Sequence, residues 1–249
     1  SILQSGTTFV MPCDNVVNVT FTAKLTANQY IINYLDQGGT AFSGQHETGR
    51  PAKHTYDSET TLMGATKTGY TFLGWYKDAA CTDGPVTTLG ATEYTANITL
   101  YAKWTVNSYY AILDANGGTG AGRFEFTFGG TTVENFTSTI ARAGYDLNGF
   151  WSTVSSSSTQ ILNNDGTRTE NYHNSWITAA DGWVKADNDG VLYAHWTAKS
   201  GIPYNIEYYL MDLNGNYPAT ATEVDAHTGT AGQAASHTQK EYTGFDIIE

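Results

Sequence analysis

Hydrophobic and polar positions alternate in short stretches along the chain, and this alternation predicts β-strands. In Leu100–Trp104 the Leu, Ala and Trp side chains fall on one face of an extended chain, while Tyr and Lys103 fall on the other. This period of two is typical of a strand that buries one face. The segment Leu192–Trp196 repeats the pattern with His195 in place of the lysine. Because a core position does not readily accept such an exchange, we predict that the second face is solvated.

Three further stretches rich in β-branched and aromatic residues predict opening strands. They are Tyr30–Leu35, Tyr109–Leu113 and Tyr204–Leu210. A Gly-Gly pair follows the first two stretches, at Gly38 and Gly117, and predicts a turn at the same point of each copy.

A third pattern recurs in Gly69–Tyr76 and Gly144–Trp151, and predicts a strand that begins at a glycine turn. The first glycine of each copy is predicted to take a positive φ or to make a tight entry into the strand. Gly74 and Gly149 interrupt the strand before an aromatic pair, which indicates a bulge or a close backbone approach.

Recurrence of these strands, at offsets of 79, 75 and 92 residues for the Gly-Gly, Gly-Tyr and Leu-Tyr-Ala patterns, indicates tandem modules, each a curved β-sheet with little helix, arranged end to end. The predicted divisions are a strand remnant of a preceding repeat (1–28), a first module (29–106), a second module (107–199) and an incomplete third repeat (200–249). The offsets place the largest insertion in the second module, at about 152–188. Its serines, asparagines and glycines predict a long surface excursion.

Composition and charge narrow the possible partners. The chain has 249 residues, among them 17 Tyr, 10 Phe and 6 Trp, and these aromatic residues are enough to form hydrophobic cores. A net charge of -12 repels phosphate groups, so nucleic acid and anionic lipid are poor partners. The sequence contains no run of 18 apolar residues, so no membrane span is predicted. Cys13 and Cys81 fall in different modules, and the sequence is compatible both with a disulfide between them and with two unpaired thiols.

Catalytic and cofactor motifs are missing from the sequence. There is no phosphate-binding loop, no Gly-x-Ser-x-Gly and no HxH or HExxH pair, so no enzyme, metal site or cofactor is predicted. The turns 163–166 and 187–190 are rich in oxygen ligands for Ca²⁺, but turn chemistry alone explains them. A Lys–Asn isopeptide crosslink is a further alternative, with Lys24, Lys103 and Lys199 as donors.

The combined motif resembles a known family. Asn/Gln-Gly-Gly, then Gly-Tyr-x-Phe-x-Gly-Trp-Tyr, then Ile-Thr-Leu-Tyr-Ala-Lys-Trp is similar to the Listeria–Bacteroides repeat, also called the internalin B-repeat. The first copy matches closely. The second departs from the motif at Phe150 and Trp151, and carries the insertion. The third resembles related surface repeats of the mucin-binding type, and residues 1–28 resemble the tail of a divergent member.

The resemblance implies a β-rich α+β fold of small β-grasp-like modules in large bacterial surface proteins. It also implies an extracellular location, at the cell surface or in the cell wall, and a role as stalk, spacer and adhesive surface. The family brings no catalytic residues. The sequence does not begin with Met and shows no signal peptide, which indicates a piece of a longer protein.

The tryptophans divide into two predicted groups. Alternation and repetition place Trp75, Trp104 and Trp196 in the cores. Trp151, Trp176 and Trp183 lie in or beside the insertion, where exposure and contact with a host glycan or host surface protein are more plausible.

The ends of the chain bear on its oligomeric state. The third repeat lacks a closing strand and residues 1–28 contain a spare one, so a strand-swapped oligomer is conceivable. A monomer is the favoured prediction.

Overall fold

The computed structural model describes residues 22–244, and they divide into two compact units, residues 22–105 and 106–244. Strands and turns build both units. Among the described residues the one helical element is a 3₁₀ turn, Gln37–Gly39, and there is no α-helix. The β-rich prediction is therefore confirmed, whereas the α+β class is not supported.

The first unit is built on a mixed four-stranded sheet. Its strands are β1 Gln29–Asp36, β2 Gln45–His46, β3 Lys53–Thr55, β4 Thr60–Thr61, β5 Ala65–Thr66, β6 Tyr70–Tyr76, β7 Thr88–Leu89 and β8 Ile98–Val106. The sheet order is β3-β1-β8-β6, and the pairs β2–β5 and β4–β7 stand beside it. The opening strand β1 runs parallel to the closing strand β8, and antiparallel to β3.

One face of this sheet carries the core of the first unit. Leu100 and Ala102 of β8 are fully buried, as the alternation of that strand predicts. Leu89 of β7 and Trp75 of β6 join them in one cluster. The cluster is aromatic-rich because a small β-module must obtain most of its burial from a few large side chains.

The second unit repeats this arrangement in a larger sheet. Its strands are β9 Ser108–Asp114, β10 Gly122–Thr127, β11 Glu134–Ser138, β12 Tyr145–Trp151, β13 Gln160–Asn163, β14 Ile177–Thr178, β15 Gly182–Trp183, β16 Gly190–Ala198, β17 Ile202–Tyr208 and β18 Glu223–Gly229. The sheet order is β11-β10-β9-β16-β12-β13. The central pair is again the opening and closing strands, β9 and β16, in parallel register.

The insertion of the second module is part of the core. Strand β13 pairs with β12 and adds an edge strand to the sheet, and β14 and β15 form a short pair of their own. The insertion supplies buried side chains to the hydrophobic cluster of this unit: Ile161, Leu162, Trp176, Ile177 and Trp183. The prediction of a surface excursion over 152–188 is therefore wrong. The turn-forming residues of the segment lie between short buried stretches.

The prediction of a bulge or a close backbone approach is confirmed at Gly149, which faces the carbonyl of Leu162, whereas Gly74 is approached by the ring of Pro85. Gly74 and Gly149 have φ of 127° and 135°. The register of β12 against β16 shifts between Leu147 and Gly149, which marks the bulge. The glycines that open the two motifs, Gly69 and Gly144, have φ of 78° and 77°, and this confirms the predicted turns.

Replacing Gly149 by alanine is expected to destabilise the second unit by more than a φ penalty alone. A Cβ there would lie 2.4 Å from the carbonyl oxygen of Leu162, so the β12–β13 pair would have to move. Gly201→Ala is the control for a left-handed φ in open space, since Gly201 has a φ of 72° and no atom within 4 Å of its Cβ position. The φ of Gly149 (135°) lies well beyond the αL values that other residues can adopt, so backbone strain adds to its clash. The control substitution should lower the free energy of unfolding, measured with urea, by about 1–2 kcal/mol. Equal losses for the two variants would contradict the steric account.

The third repeat is described as one hairpin. Strands β17 and β18 pair over seven residues each, and β17 begins and ends two residues before the predicted strand Tyr204–Leu210. Of the predicted strand remnant at 1–28, residues 22–28 form no strand, and residues 1–21 lie outside the described residues. Cys13 also lies outside the described residues, so the disulfide stays untested.

The hairpin is joined to the second module by a backbone hydrogen bond. The amide of Ala231, just after β18, donates to the carbonyl of Lys199 at 2.9 Å, and the amide of Lys199 in turn donates to the carbonyl of Gly144 within the second module at 2.9 Å. No fully buried hydrophobic side chain comes from the described part of the third repeat. An isolated two-stranded hairpin is marginally stable in water, so contacts with the second module support it, including the approach of Ala231 and Ile202 to Gly144.

Candidate functional site

The tryptophans that end the two closing strands tie those strands to the opening strands. The indole N–H of Trp104 donates to Asp36 Oδ1 at 2.9 Å, and the indole N–H of Trp196 donates to the carbonyl of Ala115 at 3.0 Å. Asp36 and Ala115 are equivalent, since each lies two residues before the first glycine of its Gly-Gly turn. Both indoles are half-buried and pack against the core clusters. The repeated tryptophan is thus a structural anchor in both modules.

The acceptor in the first module is a buried carboxylate. Asp36 is 8% exposed and also accepts hydrogen bonds from the amide and the hydroxyl of Ser43. Buried charges are tolerated where several donors satisfy them. In the second module the backbone carbonyl of Ala115 accepts the corresponding indole hydrogen bond, which explains why an alanine can replace the aspartate.

Trp75 is confirmed as a core residue. It is 2% exposed, and its indole N–H donates to the carbonyl of Met63 at 2.7 Å. The rings of Tyr34 and Phe72 lie edge-on to it, with centroids at 4.7 and 5.2 Å. This tryptophan is therefore fixed both by apolar packing and by its polar edge.

The other face of each sheet carries a second repeated contact. The ammonium of Lys103 lies 5.1 Å from the ring centre of Tyr76, and the imidazole of His195 stacks on Trp151 at 4.4 Å with an interplanar angle of 16°. Both Lys103 and His195 are half-buried. The prediction of a solvated face is thus right in that these residues lie outside the core, but each is partly covered by an aromatic partner.

Two of the three tryptophans near the insertion are buried. Trp183 is 0% exposed and donates from its indole to the carbonyl of Thr132 at 2.8 Å, and Trp176 is 5% exposed. The expectation that these two indoles are exposed is wrong, because both belong to the core cluster. Neither offers a free face to a ligand. Trp151 is half-buried and remains the candidate for a binding contact.

Trp151 lines an open cleft of about 610 Å³ on the second unit. The remaining lining residues are hydroxyl, amide, carboxylate and phenol side chains: Ser158, Thr159, Gln160, Glu170, Asn171 and Tyr172. Tyr172 is 51% exposed. Apart from Trp151, this cleft could not be predicted from the sequence, because its two aromatic residues are 21 positions apart and share no motif.

The two oxygen-rich turns have partners within the protein. The ammonium of Lys185 lies 2.8 Å from Asp187 Oδ1 and 2.7 Å from Asp189 Oδ1. Asp165 accepts hydrogen bonds from the amide and hydroxyl of Thr167, and these bonds lower the pKa of its carboxyl. Within residues 22–244 no group of three or more His, Cys, Asp or Glu side chains is placed to hold a metal ion.

The first unit contains a histidine enclosed by aromatic rings. The imidazole of His46 stacks on Phe42 at 4.2 Å and lies 4.8 Å from Tyr34 and 5.7 Å from Trp75. Its Nδ1 is buried without a hydrogen-bond partner. Burial lowers the pKa of His46 below its ordinary value of 6.5, and the nearby Arg50 lowers it further.

We expect the first unit to lose stability as the pH falls below the ordinary histidine value. The unfolded chain protonates His46 near pH 6.5, whereas the folded state resists the proton. The contribution of neutral His46 to the free energy of unfolding is therefore complete above that pH. It declines as the pH falls below it, by at most about 1.4 kcal/mol per pH unit. Urea unfolding between pH 7 and 5 measures the slope. His46→Phe should flatten it, and replacing the exposed His237 should not; an unchanged slope in His46→Phe would contradict this assignment.

Comparison with known proteins agrees with the motif of the first module. Residues 30–103 match the family model of the Listeria-Bacteroides repeat domain. Two proteins of Evansella cellulosilytica are similar to nearly the whole chain. One, named as a membrane protein, is 27% identical over 89% of this chain. The other, named as a Gly-rich membrane protein, is 24% identical over 97% of it.

The chain spans only part of these relatives, 28% and 23% of their lengths. No solved structure matches the chain significantly. In residues 22–244 no helix has the length and apolar character needed to cross a membrane. The mucin-binding-type similarity of the third repeat stays a prediction.

The family match covers β1 from Tyr30, the Gly-Gly turn, the Gly-Tyr motif and β8 up to Lys103, so it ends one residue before the tryptophan anchor Trp104. Residues 30–103 thus match the Listeria-Bacteroides repeat domain, the family that their motif indicates.

Proposed function

We propose that the chain is a non-enzymatic tandem-repeat region of a large bacterial surface protein, acting as a stalk or spacer and as part of an adhesin. Its place is outside the cell, at the surface or in the cell wall. The family match and the membrane-protein names of the two relatives support this proposal. The chain corresponds to about a quarter of each relative, as expected for one region of a long protein.

The observation that carries the proposal is that one sheet design occurs twice. Each copy pairs its opening and closing strands in parallel at the centre of the sheet and fixes them with an indole hydrogen bond. We propose β-grasp-like modules at 29–106 and 107–199, followed by a third repeat at 200–249. The adjacent first and last strands support that description, and the division of the chain near residue 105 supports the first boundary.

The parallel central pair is suited to bearing load. In the first module β1 enters at one end of the pair and β8 leaves at the other, and five residue pairs hold the two strands in register. A force applied to the two ends of such a module acts along the strands, so it loads their hydrogen bonds together rather than one after another. Resistance to pulling is what a spacer between cell and target requires.

Absence of catalytic chemistry is part of the same proposal. Copies of one module supply length and repeated surface, and the repeated residues have structural roles in packing and anchoring. We propose that this region has no enzymatic activity and needs no cofactor. We also propose that it is monomeric rather than strand-swapped, because strong negative charge opposes self-association.

Replacement of the repeats in the full-length protein tests the spacer role. Deleting residues 29–199 should reduce adhesion and the reach of an epitope placed beyond them, measured on intact cells. Inserting unrelated β-modules of the same total length should restore both. Failure of the unrelated modules to restore adhesion, despite restored reach, would show that a specific surface of this chain matters more than its length.

A second candidate function is a binding module for a host glycan or host surface protein, using aromatics of the second repeat. The specific observation that favours it is the cleft beside Trp151.

A further inference from the structure

We infer that the cleft between Trp151 and Tyr172 in the second unit binds a neutral hexopyranose residue of a glycan. This inference goes beyond the spacer role, which the replacement experiment tests separately. The sequence predicts binding at Trp176 and Trp183, but both are buried. The inference places binding instead at a surface that contains an accessible aromatic pair.

The residues that line the cleft match the two sides of a sugar. A pyranose ring has an apolar face of C–H groups and a rim of hydroxyls. Trp151 and Tyr172 offer flat apolar surface. Glu170 offers a carboxylate, and Gln160 and Asn171 offer their side-chain carbonyl oxygens, since the amide nitrogens of both already donate to backbone carbonyls. Two aromatic and five polar side chains line the cleft, a mainly polar surface that suits a ligand rich in hydroxyls, and a volume of about 610 Å³ admits one or two sugar rings.

The aromatic platform is held in place before any ligand arrives. His195 covers one side of the Trp151 indole, and its Nε2 lies 3.0 Å from the carbonyl of Thr153, so the stack is tied to the loop that follows β12. The remaining surface of Trp151 lines the cleft. Rigid aromatic groups lose little entropy on binding, which favours affinity for a weakly held ligand such as a sugar.

The polar wall is also fixed. The hydroxyl of Thr169 and the side-chain amide of Asn171 both donate to the carbonyl of Gln160, at 2.8 and 3.3 Å. The amide of Thr169 also donates to the carbonyl of Ile161 at 2.9 Å. The segment that carries Glu170 and Tyr172 is therefore attached along β13, so it holds its side chains at the cleft.

Charge selects neutral sugars over acidic ones. The cleft contains one carboxylate, Glu170, whose side chain is 86% exposed, and it contains no cationic side chain. Arg168, which is not a lining residue, forms a long ion pair with Glu170 at 3.9 Å. The chain as a whole carries a net charge of -12. Sialic and uronic acids would be repelled by these charges, whereas a neutral hexose or N-acetylhexosamine would not.

The equivalent position of the first module is closed. Tyr76 replaces Trp151 there and is 8% exposed, and the loop at Gly84 approaches its ring. The second module differs in its inserted segment, which contributes all the lining residues of the cleft except Trp151 itself. The insertion therefore has two consequences, a larger core and a new surface.

Saturation-transfer NMR on the whole chain tests the inference. The probes are the methyl glycosides of galactose, glucose, N-acetylglucosamine and N-acetylgalactosamine, with N-acetylneuraminic acid as the anionic comparison. We expect transfer to at least one neutral glycoside and none to the acid. Tyr172→Ala should weaken binding about ten-fold, the size of effect typical of losing one aromatic contact. Tyr217→Ala is the matched control, because Tyr217 is exposed (68%) but lies in the third repeat, and it should bind normally.

Trp151→Ala should weaken binding by as much or more, with far-UV circular dichroism reporting whether the sheet survives. Tyr172→Ala keeps the test valid if Trp151→Ala unfolds, since the Tyr172 side chain is largely exposed. Three results would overturn the inference: no transfer to any neutral glycoside, binding only of the acid, or equal binding by wild type and Tyr172→Ala. The first two would leave the spacer role unaffected.

Discussion

Trp183→Ala is expected to destabilise the second unit by about 3–5 kcal/mol, the range seen when a buried tryptophan or phenylalanine is truncated. The indole is 0% exposed, lies 5.0 Å from Phe126 and 5.7 Å from Phe124, and donates to the carbonyl of Thr132. The substitution would leave a cavity between the insertion and the sheet, and a carbonyl without its donor. Urea unfolding followed by fluorescence or circular dichroism measures the loss.

A conservative control separates packing from hydrogen bonding at this position. Trp183→Phe keeps most of the ring volume but removes the N–H, so it should recover part of the stability lost in Trp183→Ala. Val154→Ala provides a surface control in the same insertion, because Val154 is 60% exposed and should change stability by less than about 0.5 kcal/mol. A Trp183→Ala chain as stable as wild type would show that the insertion lies on the surface after all.

Trp75→Ala is expected to have an effect of the same size, about 3–5 kcal/mol, but in the first unit. Trp75 is 2% exposed, contacts Tyr34 and Phe72, and donates to the carbonyl of Met63. Its cluster shares no residue with the cluster that contains Trp183. The loss should therefore appear in residues 22–105, while the second unit keeps its stability.

The measurement for Trp75→Ala is segment-resolved hydrogen exchange, which reports the opening free energy of each strand. Leu73→Ala serves as the control on the same strand, since Leu73 is 43% exposed and should have little effect. Faster exchange in β16 or β12 of the Trp75→Ala chain would contradict the separation of the two cores.

The repeated strands could be predicted from the sequence because their signals are local. Alternation in Leu100–Trp104 gives the buried face of β8 directly, and the glycines before Tyr70 and Tyr145 mark the turns that open β6 and β12. A two-residue period needs only a few neighbouring positions to be recognised.

The insertion and the cleft could not be predicted because their contacts are distant in sequence. Trp183 bonds to a carbonyl 51 residues earlier, and the turn-rich stretches between Ile161 and Trp176 conceal short buried segments. Composition therefore indicated a surface loop. Tyr172 comes close to Trp151 only through the pairing of β12 with β13, which no local pattern reports.

The α-helix implied by the α+β class is also absent from the described residues, for a visible reason. Between β1 and β8 the first unit has short strand pairs, β4 with β7 and β2 with β5. The linking segments are rich in Thr and Gly, which favour strands and turns over helix.

Hydrogen exchange in the two tryptophan variants together tests the central claim, that the chain is a series of modules with separate cores. Trp75→Ala should lower the opening free energy of strands β1 to β8 alone, and Trp183→Ala that of strands β9 to β16 alone. Equal lowering of both sets of strands by either variant would mean one cooperative core, and would contradict the account.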